Sequence, residues 1–248
     1  VRQTARLAGL LLLYAAPVLA EAPLEAPLPQ ARPEGTPSAP PAAAPAPEAA
    51  VVQALRPPLR PGALTARVEA DRAEARRGMI CGRPELQGDR LGTVEGPGAC
   101  GVEDAVRVRS VDGIALSRPL TVNCNTAVTL LDWVQEAARP VLAGYGGGLA
   151  QLRVAGGYTC RPRNNRAGNR LSEHAYGHAV DIMGFALRDG TRLTLTDDWS
   201  GPYAGAFRAL HKAACGPFGT VLGPEANALH HDHFHFDTAA RSSGAYCR

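Results

Sequence analysis

SEHAYGHAVDI at residues 172–182 and HDHFHFD at residues 231–237 are the stretches on which the reading of this chain turns. Ala179 to Leu187 has the apolar content of a strand, and His174 falls in the loop that enters it. Gly177 and His178 occupy the connecting turn, where a glycine permits a tight backbone path. Asp181 then lies among Ala179, Val180, Ile182 and Met183, a costly place for a carboxylate unless a cation pairs with it or the side chain alternates outward to water. In the second stretch, strand alternation puts His233, His235 and Asp237 on one face and Phe234 and Phe236 on the other. One of the two imidazoles can then bind a metal while its neighbour stays free for acid–base work. Two imidazole nitrogens and one carboxylate suit zinc, and three protein ligands leave a fourth position for water. All seven histidines lie between 174 and 235, a clustering that a solvated or adventitiously metal-binding tract would also produce.

Working outward, Asp189-Gly190 predicts a hairpin turn with Thr191 to Thr196 as the returning strand. Pro202 to Ala214 predicts a helix with Phe207, Leu210 and Ala214 on its buried face, and Phe218 to Leu222 and His233 to Phe236 predict short strands. Upstream, Val106 to Leu116 predicts strand, turn and strand around Asp112-Gly113, and Leu152 to Thr159 another strand. Asn125 is placed to cap a helix running to Leu142, with Val128, Leu131, Val134 and Ala138 on one face and Pro140 kinking or ending it. Leu64 to Arg77 has the composition of a short helix stopped by Gly78. The expected class is α+β: a small antiparallel sheet with helices packed against it.

Composition narrows the function classes. Of 248 residues, 27 are Gly, 21 are Pro and only 5% are aromatic, so much of the chain is loop or linker. A net charge of +3 gives no support to nucleic-acid binding. Arg2 and Arg6 precede an apolar run, Leu7 to Ala16, and small residues up to Ala20, the order of a signal peptide over residues 1–20. That run is shorter than the ~20 apolar residues of a membrane span, so no stable span is expected after cleavage. Residues 21–66 hold 12 of the 21 prolines and show no apolar periodicity, which predicts a disordered Pro/Ala-rich tether before a folded domain over 67–248. Six cysteines and no Cys-x-x-Cys pair predict three disulfides in an oxidising compartment. Loop length favours Cys81–Cys100, Cys124–Cys160 and Cys215–Cys247 among the 15 possible pairings.

Ser-x-His-x-x-Gly-x-Ala-x-Asp ending at Asp181, followed by His233-x-His235, resembles the group that joins lysostaphin-type peptidases with D-alanyl-D-alanine metallopeptidases, the hedgehog-like group. The wider text, from CGVEDAVRV through YTCRPRN and LSEHA to the closing YCR, resembles more narrowly the extensin-like C-terminal domain of bacterial proteins, over roughly residues 80–248. The resemblance implies that His174, Asp181 and His235 hold one Zn2+ and that His233 is the second active-site histidine. The Glu-x-x-His pattern of the D,D-dipeptidase and carboxypeptidase branch is missing, and the His-x-His form points to the endopeptidase branches. His178 stands where the extensin-like pattern has Asn, which leaves it open as an outer donor, an accessory ligand or a neutral change. Arg161 lies roughly where the D-Ala-D-Ala enzymes place an arginine that meets a substrate oxyanion or carboxylate, and Ser172 precedes the first ligand and orients its loop.

The implied function is a bacterial zinc peptidase, periplasmic or otherwise exported, that acts on peptidoglycan peptides as a cross-link endopeptidase. The competing expectation is a non-catalytic wall-binding or scaffold domain with a structural metal; a third is metal capture by the His tract alone. No Ser stands in a Gly-x-Ser-x-Gly setting. Gly146-Gly147-Gly148 reads as a helix stop because no Gly-Lys-Ser/Thr follows. Trp133 and Trp199 read as packing residues.

Overall fold

The computed structural model describes residues 62–248. The expected signal peptide at 1–20 and the tether up to residue 61 lie outside the described residues. The first element is a helix, α1 (Gly62–Arg77), which takes in the last positions assigned to the tether and ends before Gly78 as expected. Strands β1 (Met79–Ile80), β2 (Arg83–Glu95), β3 (Gly101–Val111) and β4 (Ile114–Asn123) follow. Helical chain then runs through α2 (Cys124–Trp133), a widened π turn at Val134–Ala138 and α3 (Arg139–Leu142). The remainder is β5 (Leu149–Gly156), β6 (Ala179–Leu187), β7 (Arg192–Thr194), α4 (Leu195–Asp198), α5 (Ala204–Ala214), β8 (Thr220–Leu222), β9 (Phe234–Asp237) and β10 (Tyr246–Cys247).

These strands make one ten-stranded sheet in the order β1-β2-β3-β4-β5-β6-β9-β8-β10, with β7 also paired to β6. The α+β class holds, but the sheet is large and mixed where a small antiparallel one was expected. β4 and β5 pair in parallel, as do β8 and β10. The helical stretch from α2 to α3 carries the chain back across the sheet, and a strand entered after such a crossover runs parallel to the one it left. β2 was not anticipated because Arg83–Glu95 is rich in charge and glycine and has little apolar alternation.

The helix cap is also two residues earlier than expected. Asn123, not Asn125, accepts the Thr126 N–H at 2.8 Å through its side chain. Pro140 does not end the helix. The π turn just before it widens the backbone where Pro140 has no N–H to donate, and the helix continues to Leu142.

The core lies between the sheet and the helices α2 and α5. Trp133 is buried, donates from Nε1 to the Leu210 carbonyl at 3.2 Å and meets Phe236 edge-on at 5.3 Å. Phe234 and Phe236 stack at 5.5 Å on this side, and Trp199 packs on Phe234. Each aromatic ring contributes about 1.5–3 kcal/mol by burial. Because β9 alternates, the same packing turns His235 and Asp237 to the opposite face. The helices thus decide which face of β9 carries His235 and Asp237.

Three disulfides staple this domain: Cys81–Cys124, Cys100–Cys160 and Cys215–Cys247. The last is as expected; the first two re-pair the expected Cys81–Cys100 and Cys124–Cys160. The 13 residues of β2 separate Cys81 from Cys100. At ~3.3 Å per residue that strand is ~40 Å long, far beyond the ~7 Å that a disulfide can span between Cα atoms. Cys81 instead meets the start of α2 at 5.5 Å, and Cys100, at the far end of the β2–β3 hairpin, meets the chain leaving β5 at 5.6 Å. No membrane-crossing helix occurs among the described residues.

Candidate metal centre

Antiparallel pairing of β6 with β9 sets Asp181 directly opposite His235. Both side chains rise from the face that the helices leave uncovered. His174 arrives from a 3-10 turn, Glu173–Tyr176, just before β6. Gly177 closes that turn with φ +68°, and a Cβ there would strike Val102 at 2.5 Å, so the turn needs glycine at this position. Ser172 is buried and donates its backbone N–H to the Arg161 carbonyl at 3.0 Å, which ties the turn to the segment after β5.

The three side chains converge. His174 Nε2 lies 3.1 Å from the Asp181 carboxylate and 3.1 Å from His235 Nδ1, and His235 Nδ1 lies 3.0 Å from Asp181 Oδ1. They are 1%, 8% and 8% exposed for His174, Asp181 and His235. Their outer partners assign the protons. His174 Nδ1 donates to the Gly157 carbonyl at 2.6 Å, and His235 Nε2 donates to Asp237 Oδ2 at 3.2 Å. Each neutral ring therefore aims a lone pair inward, at the other ring and at a carboxylate. Three acceptors this close and this buried repel unless a cation sits among them. The donor set of two nitrogens and one oxygen is one that zinc takes, with its imidazoles fixed from outside as metal-binding histidines are. The residues fit the metal.

Charge shifts report the same demand. Burial pushes the Asp181 carboxyl up, but its hydrogen bonds to His174 and His235, and their positive charge, outweigh that and hold it well below the usual range. Burial pushes His235 down, yet Asp181 and Asp237 together raise it to about 9. Both shifts favour a positive charge among the three acceptors.

Two more imidazoles stand beside the triad. His233 Nε2 is 3.7 Å from Asp181 Oδ1, and its Nδ1 donates to Asp232 Oδ1 at 2.8 Å, leaving the Nε2 lone pair directed at the centre. His230 packs against His233 and His235 at 5.2 and 5.9 Å between ring centres, with Nδ1 on Asn227 Oδ1 at 2.9 Å. Burial, then the neighbouring histidines, push His230 down to about 4.

A cleft of about 220 Å³ opens over this face, lined by Arg161, Ser172, Glu173, His230, His235 and Arg241 among others. Arg161 is half-buried there, and among the described residues no carboxylate lies within ion-pair distance of it. His178 is not delivered to this cleft. Its ring lies beside Tyr176 in a separate groove of about 730 Å³, and it reaches the cleft only through Glu173, whose Oε2 it meets at 3.3 Å. Sequence reading placed Asp237 on the right face but gave it no task; its spacing of two from His235 was the signal. The Gly157 carbonyl left no signal at all.

Face and fold together define a disulfide-stapled α+β domain with a buried His–Asp–His centre. The family model for the extensin-like protein C-terminus matches residues 87–248, and the chain belongs to that family. No curated protein and no solved structure matches it.

Proposed function

We propose that this protein is an exported zinc peptidase that hydrolyses peptide amide bonds of peptidoglycan, a cross-link endopeptidase similar to the lysostaphin-type and D-Ala-D-Ala metallopeptidases. The observation that carries the reading is the convergence of three inward acceptors on one buried point, with the His233 imidazole beside it. Three disulfides suit an oxidising, extracytoplasmic compartment.

His174, Asp181 and His235 would hold the ion. When bound, zinc supplies Lewis acidity, polarising a carbonyl and easing the deprotonation of water. His233 Nε2 takes the proton of the attacking water and delivers it to the leaving amine, its ring kept in the basic tautomer by Asp232. Arg161, which has no carboxylate partner among the described residues, pairs with negative charge on the substrate. Closure of the site by Ser172, Glu173 and His230 keeps these groups in a partly dry cleft, where each charge acts more strongly than in water.

Purified muropeptides incubated with the protein, with and without a chelator, test the proposal by mass spectrometry. New fragments are expected, and both metal removal and His235→Ala should abolish them. Activity that survives both treatments rejects the zinc mechanism, and tight wall binding with no new fragments makes the domain a scaffold.

A further inference from the structure

The two imidazoles of the centre are held unequally from outside. His174 leans on an uncharged group, the Gly157 carbonyl, at 2.6 Å. His235 leans on a carboxylate, Asp237, which is 2% exposed and lies 3.2 Å from Nε2. Asp237 is itself clamped on several sides. Its Oδ1 accepts the Ala239 N–H at 3.1 Å, the Arg241 guanidinium stands 3.8 Å from Oδ2, and Arg241 donates to the hydroxyl of Thr220, the residue opposite Asp237 on β8. Such a buried, fastened carboxylate is more than a hydrogen-bond acceptor of convenience. It fixes which nitrogen of His235 carries the proton and makes the inner nitrogen more basic.

We propose that Asp237 is a positioning residue that makes His235 the stronger imidazole donor of the centre, with Ala239, Arg241 and Thr220 keeping its oxygens assigned. This rests on reading His174, Asp181 and His235 as a metal centre. The assignment of the oxygens has a consequence that separates electronic positioning from mere packing. In Asp237→Asn the side-chain oxygen must stay on the Ala239 N–H, so the amide NH2 faces His235 Nε2. That forces the His235 proton onto Nδ1, the atom aimed at the metal. Asp237→Ala removes the partner but imposes no wrong tautomer. The closer isostere is therefore the more damaging variant toward metal.

Competition for Zn2+ against a chromophoric chelator, on the full chain, reads this directly. Asp237→Ala should weaken binding roughly 10–100-fold, and Asp237→Asn should weaken it further. A packing role demands the reverse order, with Ala worse than Asn, and that order overturns the proposal; so does wild-type affinity in both. Imidazole nitrogen NMR of the metal-free protein, in alkaline buffer where His235 carries a single proton, gives the second readout. Nε2–H in the wild type and Nδ1–H in Asp237→Asn support tautomer control, whereas Nε2–H in both overturns it. If no form of the protein binds zinc, the metal reading falls by itself, and the NMR comparison still decides the role of Asp237.

Discussion

The 220 Å³ cleft backs onto side chains that converge on one buried point, and the larger 730 Å³ groove is lined by side chains that do not. The 730 Å³ groove is lined by the β2–β3 hairpin, Asn123, Asn125, Tyr176 and His178. Its carboxylates, Glu95, Glu103 and Asp104, point to no common centre: among the described residues the only metal-compatible group is His174, Asp181 and His235. The 220 Å³ cleft is cramped and rich in arginine, yet it backs onto that group. Volume measures where a ligand fits. Convergence of oriented lone pairs measures where a cation can be held.

Removing a member of the triad should separate the two regions most sharply. Asp181→Ala leaves two inward imidazoles with no anion to balance a divalent ion. Zinc content, measured by elemental analysis, should fall to background, and hydrolysis should fall by more than the ~10²–10⁴-fold that one general base contributes. Retained stoichiometric zinc would show that the His tract alone holds metal. His233→Ala comes next: a loss of roughly 10²–10⁴-fold in kcat with zinc content unchanged. Loss of zinc in that variant would move His233 from proton carrier to ligand. Arg161→Ala should act mainly on KM. A hydrogen bond to a charged group is worth about 1.5–3 kcal/mol, or roughly 10–150-fold in kcat/KM. Substrates lacking a negative group should not feel that change.

Legibility in the sequence follows the same contrast. The centre was readable because β6 and β9 obey strand alternation and because His174, Asp181 and His235 announce themselves by residue type. The Asp112-Gly113 turn and the span of β6 were legible for similar reasons, since apolar residues and turn formers mark their limits. What surrounds the larger groove was not. β2 carries charge and glycine where a pattern would help, so neither its length nor the pairing of Cys81 and Cys100 was visible from loop sizes. His178 parts from His174 for a local reason. It is four residues from His174, but the left-handed Gly177 between them reverses the chain, so one ring turns into the centre and the other into the groove. Sequence spacing carried the pair together; one dihedral angle parts them.

The smallest expected effect tests whether the groove communicates with the cleft at all. Glu173 links the two: it lines the cleft, where Oε1 meets Arg163 at 3.1 Å, and its Oε2 meets the groove residue His178 at 3.3 Å. His178→Ala frees one oxygen of a largely buried carboxylate that Arg163 still holds. The His178 side chain is 38% exposed, and a hydrogen bond made by so exposed a ring is worth at most ~1 kcal/mol. Hydrolysis should therefore drop at most about fivefold, through a shift of Glu173 against the turn that carries His174. Glu103→Gln, in the groove but without that link, should leave kcat/KM within about twofold, the range of an uncoupled surface change. Measuring both on one muropeptide gives a clear order. A loss in Glu103→Gln as large as in His178→Ala would mean that substrate occupies the groove, and the division drawn between the two depressions would have to be abandoned.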